Sequence, residues 1–529
     1  MSSFSDVYDV KLSAAAPIFV VFSVWEFLTP LWVAFNEWVI QVIVYSVGWI
    51  IYTFWFHPLA KYPGPRFAAI SNFWYAWAWT SGRWPAILER THAQYGDIVR
   101  TAPNDLSFRS PQAFRDIYAQ PTKGRKLFPK TKYFWKTIDT PGQTHIMDVD
   151  AAQKSRDLLT PGFSPRALRN QESVIHQYAD MFVETIKNLR GKGRGAVDVT
   201  DAFNWVTFDI LGWFSIISAS MRNKTNHSTP GELAFGESFD AVKNAKTHFW
   251  TSVIIKANFI QILPGLFERL PILKLLGPFM MSKNDAGIYA MHRSLTMEKI
   301  QKRKAITDLA REDFFSHVLK GEFSDAELAS HASVFMVAGA TTTALTLAAT
   351  TTLLAQNPHC FDKLKSEIRS SFKDSSEIDG EATARLPYLK AVLEEGLRML
   401  PPIPWGPPRE SPGETVDGQF IPAGVLVSAD VRLLAQDPRN FSEPRAFKPE
   451  RWIEEKHDRR LVNLAFVPGV RGCFGINMAQ LEMRIVLAKL VFAFDWELED
   501  PCVNLERQST LYVLWELPKL NVRFSLRNF

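Results

Sequence analysis

The stretch FVPGVRGCFGINMA, residues 466–479, constrains this chain more than any other. It places Cys473, one of only three cysteines, between glycines and two residues after an arginine. The residues that follow, FGINMAQLEMRIVLAKLVF, are apolar at helical spacing, so the cysteine stands at a helix N-terminus. The helix dipole and free backbone N–H groups there favour an anion, which predicts a lowered thiol pKa and a thiolate fit to ligate a metal. Gly469 permits a turn that a side chain would obstruct, and Gly475 lets backbone approach closely. Phe466 can shield the sulfur from water, and Arg471 offers a charge suited to a carboxylate. A cysteine kept only for packing needs none of this company.

The rest of the composition excludes several classes. Hydrophobic residues make up 47% and charged residues 22% of the 529, which is a folding chain with a large core and not a disordered one. A net charge of +5 is too small and too dispersed to argue for nucleic acid, while it suits an acidic protein partner or an anionic membrane. Cys360, Cys473 and Cys502 are widely spaced with no CxxC, which argues against a disulfide scaffold and a cysteine zinc cluster.

The first 56 residues read as a membrane anchor. Residues 38–56, WVIQVIVYSVGWIIYTFWF, carry no charge and approach the ~20 residues that span a bilayer. Residues 16–35 form a second apolar segment, interrupted by Glu26 and Pro30. Acidic residues precede the span while Lys61 and Arg66 follow it, which places the body, 57–529, in the cytosol. The sequons at Asn223 and Asn226 are then silent.

Beyond the proline-rich connector 56–71, YGDIVRTAPNDLSF (95–108) alternates and predicts short strands. From about 110 to 400 the pattern is mostly helical. VDGQFIPAGVLVSAD (416–430) predicts a hairpin turning at PAG. The glycine-rich loop 191–198 lacks phosphate-cradle spacing. No internal repeat or low-complexity linker divides the body, so it reads as one large, mainly α domain with a small β portion.

F-x-x-G-x-R-x-C-x-G, complete from Phe466 to Gly475 with alanine at 479, resembles the haem-binding loop of the cytochrome P450 superfamily. Two further signatures accompany it. In LPYLKAVLEEGLRMLPP, Glu395 and Arg398 match the family's Glu-x-x-Arg pair, 75 residues separating Arg398 from Cys473, and FKPERW supplies Arg451 as the third member of a folding lock. In SVFMVAGATTTALTLAATTTLL, Gly339 would loosen the helix over the haem, and Thr342 stands where the family's threonine hydrogen-bonds oxygen. The acid that usually precedes that threonine is missing, and Thr341 replaces it. Ala435 and Gln436 likewise stand where many relatives carry His-Arg.

The resemblance covers about 56–520 and is strongest to membrane-bound fungal members acting on secondary metabolites. It implies haem b with Cys473 as axial thiolate, Arg471 and Arg409 near the propionates, and Lys154 and Arg156 as candidate basic residues of the helix before the core. It implies pocket walls at Val337, Ala338, 403–406 and Leu511. It further implies an NADPH-dependent cytochrome P450 reductase, cytochrome b5 as an auxiliary partner, an apolar substrate and the endoplasmic reticulum membrane. Thr341 leaves open a haem-thiolate isomerase, dehydratase or coupling enzyme, and a non-enzymatic haem or membrane protein is the remaining rival.

Overall fold

The computed structural model describes residues 32–527 apart from 121–123, 137–144, 170, 192–194, 217–239 and 454–463, with 249–257 and 278–322 described only at scattered positions. The sequons and residues 16–31 of the second apolar segment lie outside the described residues.

The first described element is α1, Trp32–Phe56, a 25-residue helix whose last turn, Tyr52–Phe56, is a π turn. It begins earlier than the predicted span and leaves nearly its whole surface exposed. Its end is fixed to the body. The indole N–H of Trp49 donates to the Ile70 carbonyl (2.8 Å) in α2, Arg66–Ile70. Buried Arg100 donates to the Thr53 carbonyl (3.0 Å).

Two further short helices, α3 (Phe73–Thr80) and α4 (Trp84–Tyr95), lead to β1 (Ile98–Ala102) and β2 (Asp105–Phe108), an antiparallel pair. The sheet is completed from far along the chain. Strand β3 (Arg409–Glu410) follows the proline run, and β4 (Glu414–Val416) and β5 (Gln419–Ile421) form a hairpin of their own. Strand β6 (Leu426–Ala429) then pairs parallel to β2 and antiparallel to β3, giving the order β1-β2-β6-β3. The hairpin therefore turns at Asp417-Gly418 and not at PAG. Both turn residues have positive φ, 49° and 75°, as the tight two-residue turn requires, and Asp-Gly meets that demand at low strain. After PAG the chain leaves the hairpin and joins the main sheet.

The helical body is built around four elements that position the site. Helix α5, Val149–Leu159, is capped by Asp148, which accepts the Ala151 N–H at 2.8 Å. Helix α6, Asp325–Gln356, opens with a capping box from Ser324 and Glu327 and is long and apolar enough to cross a membrane, but it is mostly buried. It is a core helix, fully covered over Thr343–Leu354 and more open around Ala338. Helix α7, Pro387–Met399, starts on a proline and stops before Pro401-Pro402. Helix α8, Ile476–Ala493, follows the cysteine loop and buries Ile485, Leu487, Leu490 and Val491 completely. A three-stranded sheet of Val197–Asp198, Asn521–Leu526 and Phe494–Leu498 closes the far side.

Candidate active site

The loop before α8 is shaped by backbone. The Cys473 N–H donates to the Phe466 carbonyl and the Gly472 N–H to Gly469, both at 2.9 Å. Gly469 has φ +84°, and a Cβ there would lie 2.3 Å from the Tyr118 carbonyl oxygen. Only glycine meets both conditions. Gly472, which sequence spacing did not single out, is equally confined, since its Cβ would come within 2.5 Å of the Val467 oxygen. Gly475 differs from expectation. No backbone approaches it; the nearest atom to a Cβ would be the Cys473 sulfur at 3.9 Å, an ordinary contact, so nothing around it demands a bare position. Phe466 is half-buried and packs against the main core.

The Cys473 sulfur fronts open space while protein atoms crowd its other sides. Burial pushes its thiol pKa up; the N–H groups of Gly475 and Ile476 and the charge of Arg156 pull the other way without prevailing. The expected lowered pKa is thus overturned. A helix start alone does not offset desolvation of a thiolate, and a bound cation would. A cavity of about 650 Å³ lies against this loop, bordered by Cys473, Phe474, Ile476, Arg156, Thr160 and Phe163.

Of the two basic candidates on α5, only Arg156 reaches the loop. It donates to the Gly472 carbonyl (2.8 Å) and lies 4.2 Å from the Phe474 ring centroid. Lys154 is exposed. Arg471 donates to the carbonyls of Ile146, Met147 and Asp148 at 2.9–3.2 Å, tying the loop to the lead-in of α5.

Arg409 is buried on β3, and its Nη1 has no hydrogen-bond partner among the described residues. Burial lowers its pKa to about 10. Buried Lys130, bridged to it backbone to backbone, is pushed well below the lysine range by burial and then by Arg409 and Arg471. Sequence reading missed Lys130, because the link to Arg409 spans distant segments. A cationic group with an unmet donor beside the cysteine loop fits an anionic prosthetic group, and the thiol fits its metal.

Helix α6 carries a π turn at Val337–Thr341, around Gly339. The helix is loosened there, as Gly339 suggests, but the glycine's bare side packs on Leu211 (2.8 Å from a built Cβ). Thr341 is buried, whereas Ala338 is exposed and Thr342 half-exposed. The Thr342 hydroxyl donates back to the Ala338 carbonyl, the acceptor four residues earlier. Val337 is half-buried, Trp405 buried, and Leu511 fully buried with its N–H on the Gly82 carbonyl.

Glu395, Arg398 and Arg451 meet in the core behind this site, all buried. Glu395 accepts from Arg398 Nε (2.8 Å) and Nη2 (2.9 Å), Arg451 Nε (3.1 Å), the Lys448 N–H (2.9 Å) and the Trp452 indole (2.9 Å). The arginines reach onward to backbone carbonyls. Arg398 binds those of Ala435, Pro444 and Ala446, and Arg451 those of Ser442, Glu443 and Ala446. Ala435 thus contributes its carbonyl, while the neighbouring Gln436 leaves its side-chain oxygen buried without a partner among the described residues.

A mainly helical body with a small sheet, a π-turned central helix and this cysteine loop is the architecture of one enzyme class. The chain belongs to the cytochrome P450 family, whose model matches residues 73–522, and it is a P450-type monooxygenase. It is similar to fungal members of secondary metabolism. These include cytochrome P450 monooxygenase BOA3 of Botryotinia fuckeliana, 36% identical over 510 residues that span 94% of this chain and 96% of the relative. The monooxygenase btcC of Colletotrichum orbiculare is 33% identical over 500 residues, 91% and 92% of the two chains. The monooxygenase astJ of Aspergillus oryzae is 32% identical over 524 residues, 94% and 98%.

Proposed function

We propose that the protein is a membrane-anchored haem-thiolate monooxygenase, with Cys473 as the residue that would hold the haem iron, that oxidises an apolar small molecule. The observation that carries this is the Cys473 sulfur itself: bordering an open cavity, served by two backbone N–H groups, and faced by Arg156. When bound, the haem supplies an electron-rich iron centre able to activate dioxygen. The chain's own groups do the rest. Cys473 would hold the iron through its sulfur, Arg409 and Lys130 would meet the haem's carboxylates, Arg471 holds the loop closed, and Phe466 would keep water from the sulfur. Thr342 holds a proton at its hydroxyl beside the opened turn of α6, next to Thr341 in the place of the family's acid. Glu395, Arg398 and Arg451 form a folding lock and touch no substrate.

Helix α1 anchors the protein in the endoplasmic reticulum membrane with its body in the cytosol. Electrons come from a separate NADPH-dependent cytochrome P450 reductase, with the acidic cytochrome b5 as an auxiliary suited to the chain's +5 charge. The substrate class is a fungal polyketide, terpenoid or alkaloid.

The test is an absorption spectrum of the dithionite-reduced protein under carbon monoxide. A strongly red-shifted Soret band, absent in Cys473→Ala, is expected; a band like that of histidine-ligated haem in an intact, haem-supplied sample would overturn the assignment. A second reading, a haem-thiolate isomerase, dehydratase or coupling enzyme, is favoured by Thr341 and by the Thr342 hydroxyl being tied to Ala338. Labelled dioxygen separates the two: label in the product supports the monooxygenase.

A further inference from the structure

A chain of buried indoles, stacked between Trp79 and Trp84 and tilted or edge-on at its other contacts, runs from the Arg409 region to the edge of the body. Trp135 donates to the Pro408 carbonyl (3.2 Å), next to Arg409, with the Lys130 ammonium 4.4 Å from its ring centroid. Its ring centroid is 6.2 Å from Trp405, Trp405 is 6.0 Å from Trp79, and Trp79 stacks on Trp84 at 5.0 Å and 17°. Half-buried Trp74 follows at 6.4 Å. Close aromatic contact explains the packing. It does not explain the far end.

Trp135 and Trp405 satisfy their N–H groups on backbone carbonyls, which cannot keep a proton. Trp84 instead donates to a carboxylate, Asp430 Oδ2, at 3.2 Å. Asp430 is 3% exposed, and its other oxygen accepts the Gly406 N–H at 2.9 Å. Burying a carboxylate to satisfy an indole that a carbonyl would serve is an expensive choice. It becomes useful if the indole is oxidised, because an indole radical cation is a strong acid.

We propose that Trp135, Trp405, Trp79 and Trp84 form a one-electron conduit ending in proton-coupled oxidation of Trp84, with Asp430 as the proton acceptor. The haem reading supplies only the oxidant, a haem carrying peroxide-level oxidising equivalents that no substrate has consumed. One electron leaves Trp84 through the indole chain and would reduce that oxidant by one equivalent. The Nε1–H bond breaks, an Oδ2–H bond forms, and a neutral indolyl radical and a neutral carboxylic acid remain. The buried negative charge disappears in the step, which a low-dielectric site favours. Asp430 is suited to this, since burial raises its pKa to about 7. The conduit drains oxidising equivalents left when turnover misses its substrate, a hazard that Thr341, in place of the acid, increases.

The experiment mixes substrate-free holoenzyme with hydrogen peroxide in mildly alkaline buffer, followed by freeze-quench electron paramagnetic resonance. A neutral tryptophanyl radical is expected, lost in Trp84→Phe and in Asp430→Asn and retained in Trp77→Phe, an exposed residue outside the stack. The Trp84→Phe protein also loses Soret absorbance faster under peroxide. Variants are compared only where the carbon monoxide spectrum matches wild type, which separates loss of fold from loss of the radical. The same radical in Trp84→Phe or Asp430→Asn would overturn the proposal. A photogenerated ruthenium(III) oxidant drives a parallel, haem-independent run. A radical there but not under peroxide would sink the haem as source, and none in either run would sink the conduit.

Discussion

Replacing Glu395 by glutamine tests what the buried carboxylate does. The five donors divide between its oxygens: Oε2 receives Arg398 Nε and Trp452, and Oε1 receives Arg398 Nη2, Arg451 and the Lys448 N–H. Glutamine keeps one acceptor and turns the other into a donor facing donors. Two buried guanidiniums also lose the only carboxylate they have among the described residues. Breaking such a cluster costs about 3–5 kcal/mol, a large share of the ~5–15 kcal/mol that hold a native protein together. Buried ion clusters elsewhere often tolerate wholesale apolar replacement, but here the arginines also serve the carbonyls of 435–446, which an apolar trio would orphan. The triple variant Glu395→Leu, Arg398→Met, Arg451→Leu therefore should not recover the single variant's loss. Urea unfolding followed by tryptophan fluorescence and by haem release reads both. A loss under about 1 kcal/mol in Glu395→Gln, the range of an ordinary surface ion pair, or full recovery in the triple variant, would refute the reasoning.

Two more outcomes follow from geometry and burial. Gly469→Ala combines a left-handed backbone, worth about 1–2 kcal/mol, with a Cβ 2.3 Å from the Tyr118 oxygen. It is expected to displace the loop and abolish the red-shifted carbon monoxide band, read by spectroscopy. Asp209 and Asp430 are both raised by burial from 3.8 to about 7. The folded state then holds protons that the unfolded state has released, so the stability these two groups contribute is lost as pH rises from about 4 to 7, against the opposite trend of His57, His92, His145 and His331, which burial lowers from 6.5 to about 4. Thermal melts across that window should therefore separate wild type from Asp430→Asn, the variant losing less stability, or gaining more, as pH rises.

The sequence was most legible where function is written in consecutive residues. The cysteine loop, the Glu395–Arg398 pair and the glycine of α6 each lie on one short element, so spacing alone locates them. The strands 98–102 and 105–108 were legible for the same reason, from alternation and turn residues. Misreadings arose where distant segments decide. Asp417-Gly418 outcompetes PAG because β6 is claimed by β2, about 320 residues upstream along the chain, a pairing that no local signal announces. The helix start of Cys473 predicts a lowered thiol pKa, yet burial by the surrounding body pushes it up. Lys130, Arg156 at Gly472 and the Trp452 bond to Glu395 join the site from elsewhere in the chain, and residue type alone does not point to them.

Helix α1 is a mast stepped into the hull, not a rope. Trp49 and Thr53 sit within its last turns and bond Ile70 and Arg100 of the body. Cutting the chain just after Phe56 therefore removes more than an exposed apolar helix. It strips the Ile70 carbonyl and one arm of the buried Arg100 of their partners, though the Pro103 carbonyl still holds the other arm. A version shortened at Thr29, or one that keeps residues 49–56 and replaces the exposed apolar side chains before them, preserves that seat.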